Sequence, residues 1–147
     1  MIIEVNEENL SQAGRIHSEA WKASHRSFCS AGFVEKHTPA AQTAYLRREM
    51  TAGKRVYMLS DDVPVGIVSV WESLIENLYI LPERQNRGYG TQLLKYAMAC
   101  CDGVPTLWIL DNNEGARRLY ARHGFRPTGK KQWLSDTLSE LEMVLEG

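Results

Sequence analysis

No stretch of this chain approaches the roughly 20 consecutive apolar residues that cross a bilayer. A net charge of -1 leaves no surplus of basic residues for a broad nucleic-acid-binding face. The cysteines number 3, at Cys29, Cys100 and Cys101, an odd count without the spacing of a metal-ligand set. Adjacent Cys100 and Cys101 on a helix point in different directions and read as small buried hydrophobes. Internal repeats, linkers, low-complexity tracts, an acidic metal cluster and the Gly-x-x-x-x-Gly-Lys-Ser/Thr phosphate loop are all missing. No metal cofactor is therefore expected. The opening residues, Met1 to Val5, are too short and too acidic for a signal peptide, so a reducing cytoplasm is expected, with neither membrane nor nucleic acid as partner. What is present, 147 residues of which 44% are hydrophobic, suits one domain over 1–147 with a single core.

The most informative stretch runs from Glu76 to Leu94. Leu78, Tyr79, Ile80 and Leu81 form an apolar β-type run, and Pro82 cannot continue a central ladder. Gly88 and Gly90 permit a tight turn, after which Leu93, Leu94, Ala97, Met98 and Cys101 follow helical spacing. A strand feeding a glycine turn at a helix N-terminus gathers unpaired N–H groups and partial positive charge, to which Arg84 and Arg87 add full charge. The stretch predicts a phosphate-bearing ligand.

Taken in order, Ile2 to Val5 reads as a first strand and Asn6 as the N-cap of a helix running to about residue 22. His17 lies in its apolar stripe and reads as a satisfied core histidine. Residues 23–37 have no clean period and read as a loop or short helix, with Phe28 and Phe33 either lining a pocket or pinning the segment to the core. Thr38-Pro39 starts a helix that ends at Gly53. Arg55 to Ser60, Pro64 to Trp71 and Leu74 to Leu81 then form an antiparallel meander, with Gly66 marking a bulge or a close backbone approach. The helix after the glycine turn ends near Asp102-Gly103, and the crossover lays Val104 to Leu110 parallel to the preceding strand. A helix from Asp111-Asn112-Asn113 carries Ala116, Leu119, Tyr120 and His123 on one face and stops at Gly124-Phe125. Two β-like pieces follow, at about Thr128 to Leu134 and Leu138 to Leu145. The sum is one α/β domain with a mixed sheet.

These motifs, in this order, resemble the GNAT superfamily of acyl-CoA-dependent N-acetyltransferases. Its Gln/Arg-x-x-Gly-x-Gly/Ala motif matches Gln85, Gly88 and Gly90, and its downstream motif matches Asn113, Ala116, Tyr120, Gly124 and Phe125. The likeness is strong over residues 64–127 and weaker in the first helices. It implies the acyl-CoA N-acyltransferase fold: a mixed, mostly antiparallel twisted sheet, splayed at two parallel central strands and flanked by helices.

The resemblance further implies acetyl-CoA as co-substrate. Its pyrophosphate would rest on backbone amides from Gln85 through Asn86, Arg87, Gly88, Tyr89 and Gly90 to Thr91, beside Arg84. Its pantetheine arm would run in the gap between the strand of Leu78, Tyr79 and Ile80 and the strand of Leu107 and Trp108, near Asn113 and Ala116. Asn113 also reads as a plain helix N-cap, and both roles are compatible. Tyr120 would return a proton to the departing thiolate. A thiol pKa of about 8.5 makes that assistance moderate, on the order of tens- to a few hundred-fold. The alternative for Tyr120 is a core tyrosine.

A base is needed as well, since an alkylammonium of pKa near 10.4 is free amine in only about one molecule in a thousand at neutral pH. Glu76 has the strand parity of Leu78 and Ile80 and is the expected base, with a solvated edge glutamate as the alternative; Glu72 and His25 are weaker candidates. The oxyanion would meet a backbone N–H near Leu78 or Ile80. Relatives that acetylate ribosomal protein N-termini carry glutamate five residues before the motif asparagine, where this chain has Trp108, which disfavours that substrate class. Trp21, Phe28, Phe33, Trp71, Trp108 and Trp133 can build an apolar acceptor pocket or fill the core.

The expectation is an N-acetyltransferase that moves acetyl from acetyl-CoA to a primary amine of a small molecule or peptide by direct transfer, acting alone or as a homodimer. Two other classes compete: a non-catalytic acyl-CoA sensor, which an intact Tyr120 and Asn113 disfavour, and a nucleotide-binding module, which the missing phosphate-loop lysine disfavours.

Overall fold

A computed structural model describes residues 1–146. Strand β1 (Ile2–Glu4) is followed by helices α1 (Leu10–His25), α2 (Ala31–Glu35) and α3 (Pro39–Thr51). Next come the meander β2 (Arg55–Asp61), β3 (Val63–Trp71) and β4 (Leu74–Ile80), a 3₁₀ turn at Pro82–Arg84 and helix α4 (Tyr89–Cys100). Strand β5 (Thr106–Leu110), helix α5 (Glu114–Arg122) and strands β6 (Phe125–Trp133) and β7 (Ser139–Leu145) complete the order. One seven-stranded sheet results, ordered β1-β2-β3-β4-β5-β7-β6. Every neighbouring pair is antiparallel except β4 with β5, as the crossover through α4 requires.

The sheet is buried on both faces, which is why its central strands read as apolar runs rather than alternations. On one face Leu93, Leu94 and Ala97 of α4 pack on Val65, Val68, Val70, Leu107 and Ile109, with Phe125 fully enclosed. On the other, Leu10, Ala13 and Ile16 of α1 and Leu46 of α3 cover Val56, Met58 and Ile67. Gly66 is the close approach foreseen for it, since a Cβ there would stand 2.9 Å from Leu93 Cδ1 and 3.0 Å from the Tyr79 carbonyl.

Several boundaries differ from expectation for local reasons. Helix α1 begins after Asn9 rather than Asn6, because the two asparagines build a turn: Asn9 Oδ1 accepts from Asn6 N at 2.8 Å, and Asn6 Oδ1 accepts from Glu8 N at 2.9 Å. It then runs on to His25, where the sequence shows no stop signal. Helix α4 ends at Cys100, before Asp102-Gly103, and β6 opens at Phe125 rather than Thr128. The Thr38 cap stands as expected, its Oγ1 accepting from Ala41 N at 3.1 Å.

Candidate active site

The decisive irregularity is in β4. Ser69 pairs with Glu76 and Ile67 with Tyr79, so Asn77 and Leu78 together oppose one residue of β3. This is a β-bulge, and Asn77 takes φ 53, a left-handed conformation that asparagine tolerates better than most residues. On its other edge β4 pairs with β5 only at Leu74–Thr106 and Ile75–Leu107, after which the two parallel strands part. Leu81 N donates to Val65 O of β3 at 2.9 Å, so by alternation the N–H groups of Leu78 and Ile80 turn to the opposite edge, into the gap. Two polar backbone positions are thus left facing a cleft in mid-sheet.

Beyond β4, the turn delivers donors in a row. Asn86 has φ 64 and Gly88 φ 85, and Gly88 caps α4 without any side-chain hydrogen bond. Among the described residues no acceptor meets the N–H groups of residues 86–91; the first bond of the helix runs from Gln92 N to Gly88 O. Gln85 ties this loop back to β4 by donating through Nε2 to Ile80 O at 3.3 Å. Tyr89 OH anchors it from the far side by donating to Asp61 Oδ2 at 2.5 Å. Loop and gap open into one cavity of about 820 Å³.

Arg84, Gln85, Asn86, Gly88, Tyr89, Gly90 and Thr91 stand on its wall, as do Leu78, Tyr79, Ile80, Asn113, Ala116, Tyr120 and Glu76. Arg87 is the exception: it is exposed and outside the wall. Asn113 caps α5 through Oδ1, which accepts from Ala116 N at 3.0 Å, leaving its amide Nδ2 toward other partners. Tyr120 is buried in the core cluster and also borders the cavity, its ring edge-on to Phe125 at 5.9 Å. Its hydroxyl has no hydrogen-bond partner among the described residues, and burial raises its pKa, so it stays protonated well past neutrality.

The expected base is placed differently from its parity. The bulge reverses alternation between Glu76 and Leu78: Glu76 shares a face with Ser69, Tyr79 with Ile67, while Leu78 and Ile80 pack on the α4 side. Glu76 consequently meets Lys54, whose Nζ lies 2.7 Å from Glu76 Oε1 and 2.8 Å from Glu49 Oε1. Burial would lower the Lys54 pKa, but its two carboxylate partners outweigh that and raise it; Glu49 is held low in return. His25 is freer. Its Nδ1–H donates to Trp21 O at 2.9 Å, with Ser24 Oγ 2.8 Å away, which leaves Nε2 as the proton-accepting nitrogen of a ring on the cavity wall. Burial keeps His25 below its usual pKa and hence neutral near pH 7.

A family model of the GNAT acetyltransferase domain matches residues 52–127, just over half of the chain. The chain belongs to that family. Solved structures agree with the GNAT fold over nearly the whole length. PaiA N-acetyltransferase from Thermoplasma acidophilum, in complex with coenzyme A, is 18% identical with a TM-score of 0.72, covering 97% of this chain and 96% of that one. A GCN5-related N-acetyltransferase from Rhodopseudomonas palustris is 18% identical with a TM-score of 0.78, covering 100% and 95%. YncA from Salmonella typhimurium, with its cofactor acetyl-CoA, is 18% identical with a TM-score of 0.69, covering 99% and 92%. A search of curated proteins gave no match.

Within this GNAT domain the acceptor side is less as expected. Trp21, Phe28 and Trp108 border cavities, but Phe33 only packs edge-on against Trp21 at 5.8 Å. Trp71 and Trp133 stand exposed away from the site, Trp133 beneath Lys131 Nζ at 4.5 Å. Asn77 and Lys54 were not foreseen; an asparagine inside an apolar strand was the available signal for the bulge. The α1 residues Ala20 and Ser24 on the wall carry no sequence signal at all.

Proposed function

We propose that the protein is an N-acetyltransferase that moves acetyl from acetyl-CoA to a primary amine of a small molecule or peptide, by direct transfer in a ternary complex. The observation that carries this is the row of unpaired N–H groups at 86–91 opening onto the parted strands beside Tyr120. Those donors, with Arg84, suit a pyrophosphate: convergent backbone N–H groups at a helix N-terminus favour an anion, and the left-handed Gly88 lets the backbone approach it. Leu78 and Ile80 offer the polar edge along which an amide-bearing arm can lie, and Asn113 and Ala116 would flank it.

Bound acetyl-CoA supplies an activated acyl carbon, to which the amine nitrogen bonds as the carbon–sulfur bond breaks and the sulfur leaves with the electron pair. Tyr120, kept protonated by burial, gives its hydroxyl proton to that sulfur. A backbone N–H of Leu78 or Ile80 stabilises charge developing on the acyl oxygen. The ammonium proton goes to His25 Nε2 through water, while Glu76, held against Lys54, attracts the cationic amine. His25 regains the balance by releasing its proton to solvent and Tyr120 by taking one.

The reaction is placed in the cytoplasm, in keeping with free Cys29, Cys100 and Cys101. No helix among the described residues is long and apolar enough to cross a membrane. Neither nucleic acid nor membrane is proposed as a partner, and the catalytic unit is one chain, alone or in a homodimer. The test is free-thiol release from acetyl-CoA across a panel of primary amines. Amine-dependent release is expected; tight acetyl-CoA binding without release from any amine would favour a sensor.

A further inference from the structure

A second recess of about 230 Å³ lies on the α1–α3 side of the sheet, roughly eight times the volume one water occupies in the liquid. It shares Asn77 and Tyr79 with the larger cavity, so the β4 bulge is the partition between the two. Its remaining wall comes from α1 (His17, Trp21), from Gln42 and Tyr45 of α3, and from His37 just before α3.

The wall is aromatic but contains one unanswered polar group. His17 is 3% exposed, packed edge-on to Tyr79 at 4.9 Å and tilted against Tyr45 at 5.5 Å. Gln42 Nε2 sits 2.5 Å from His17 Nδ1, and an amide nitrogen can only donate, so Nδ1 is the acceptor and the ring proton is on Nε2. That Nε2–H is buried without a hydrogen-bond partner. Asn77 stands beside the ring, its Nδ2 donating to Tyr45 OH at 3.3 Å, and its side chain interacts with the imidazole without meeting Nε2 at hydrogen-bond distance. A donor left unanswered in a buried site is costly, and such groups usually mark a missing partner. Burial also pushes the His17 imidazole down to about 4, so the ring is neutral when the enzyme works.

The same wall disfavours a second positive charge on the ligand. No carboxylate belongs to it: Glu76 lines the larger cavity instead, and Glu49 is bonded to Lys54. Trp21 offers its edge rather than its face, since imidazoles cover both sides: His25 at 3.9 Å and His37 at 3.5 Å, each nearly parallel to it. A flat, uncharged group with a hydrogen-bond acceptor fits; an aliphatic ammonium does not.

Resting on the acetyl-transfer reading above, we propose that this recess holds the body of the acceptor: a primary amine carrying an uncharged aromatic ring whose oxygen or ring nitrogen accepts from His17 Nε2–H. Asn77 and Tyr79, which border both cavities, stand between this ring and the cavity in which its amine would react.

Thiol release with tyramine, 2-phenylethylamine and 1,4-diaminobutane tests this. Tyramine is expected to exceed 2-phenylethylamine in kcat/KM by about fivefold, the worth of one net hydrogen bond. Both should exceed the diamine by about tenfold or more, since only they bury a ring. In His17→Phe, which keeps an aromatic ring in place, the advantage of tyramine over 2-phenylethylamine should collapse through KM, with kcat kept. A diamine preference, or a tyramine advantage unmoved by His17→Phe, overturns the proposal; the wild-type ranking decides alone if the variant does not fold. If no amine is acetylated, calorimetric titration of tyramine into the CoA-loaded protein separates the two readings. Binding that weakens in His17→Phe keeps the recess and defeats acetyl transfer, whereas absence of tyramine binding overturns the recess.

Discussion

One wall of the active-site cavity is made of backbone: the N–H groups of residues 86–91 and the free edge of β4. The helical side, from α1 through α3, is made of side chains: His25 borders the same cavity, while His17, Trp21, Gln42 and Tyr45, from two separate helices, line the recess beyond the β4 bulge. Under the acetyl-transfer proposal, the backbone donors would read a feature shared by every CoA ester, and they are fixed by turn geometry. Side chains read the individual acceptor and can change without altering the fold.

Tyr120→Phe should show the largest effect, because Tyr120 lies where the walls meet. Turnover should fall by on the order of tens- to a few hundred-fold, with acetyl-CoA affinity nearly unchanged. A matching loss of affinity would place Tyr120 in the backbone wall's work of binding. The raised pKa adds a sign: the hydroxyl stays protonated as pH rises, so kcat should not fall on the alkaline side below about pH 10, where an unperturbed tyrosine titrates.

A smaller effect separates two side chains of the cavity, His25 on α1 and Glu76 on β4. His25→Gln should lower kcat at neutral pH by about tenfold, at the modest end for general-base loss. Because the His25 pKa is lowered, its base form persists as pH falls below the ordinary histidine value, and that acid limb should move to higher pH in the variant. Glu76→Gln should leave the limb in place and raise KM for cationic amines by about threefold, the scale of one partly exposed ion pair. The reverse assignment, with the limb following Glu76, would make the carboxylate the base after all.

The contrast between the walls also explains what could be read in advance. Gly88, Gly90, Thr38-Pro39 and the Asn113 cap act over a few residues, so their spacing alone locates the turn and the helix starts. The parallel β4–β5 pair followed from crossover length. The parity expected for Glu76 fails because alternation holds only while a strand is regular, and the bulge at Asn77–Leu78 turns Glu76 toward Lys54. Trp71 and Trp133 misled because an aromatic side chain has no sequence mark that says which surface it faces. The stacked column of His25, Trp21 and His37 depends on where a short α2 returns the chain, which no local pattern encodes.

The smallest effect on chemistry, and the one most confined to the acceptor side, concerns Lys54. Lys54→Met leaves Glu49 and Glu76 half-buried without their cation and should cost about 1–3 kcal/mol in denaturant unfolding near pH 7. The Glu49 pKa is lowered in the folded protein, so its contribution is present above the ordinary carboxylate pKa and is lost as pH falls through the folded value. Stability of the wild type should therefore drop more steeply below about pH 4.5 than that of Lys54→Met. Parallel curves would mean that the triad contributes nothing measurable.

Calorimetric titration of coenzyme A against wild type and Gly88→Val tests the backbone wall most directly. A Cβ at Gly88 meets no neighbouring atom within 4 Å, so the substitution acts through the left-handed φ of 85 and little else. Wild type should bind, and the variant, whose free loop relaxes out of the left-handed turn and must be forced back on binding, should bind about ten- to a hundredfold more weakly, the scale of a strained backbone conformation. Equal affinity in the two proteins would contradict the assignment of residues 86–91 as the pyrophosphate site.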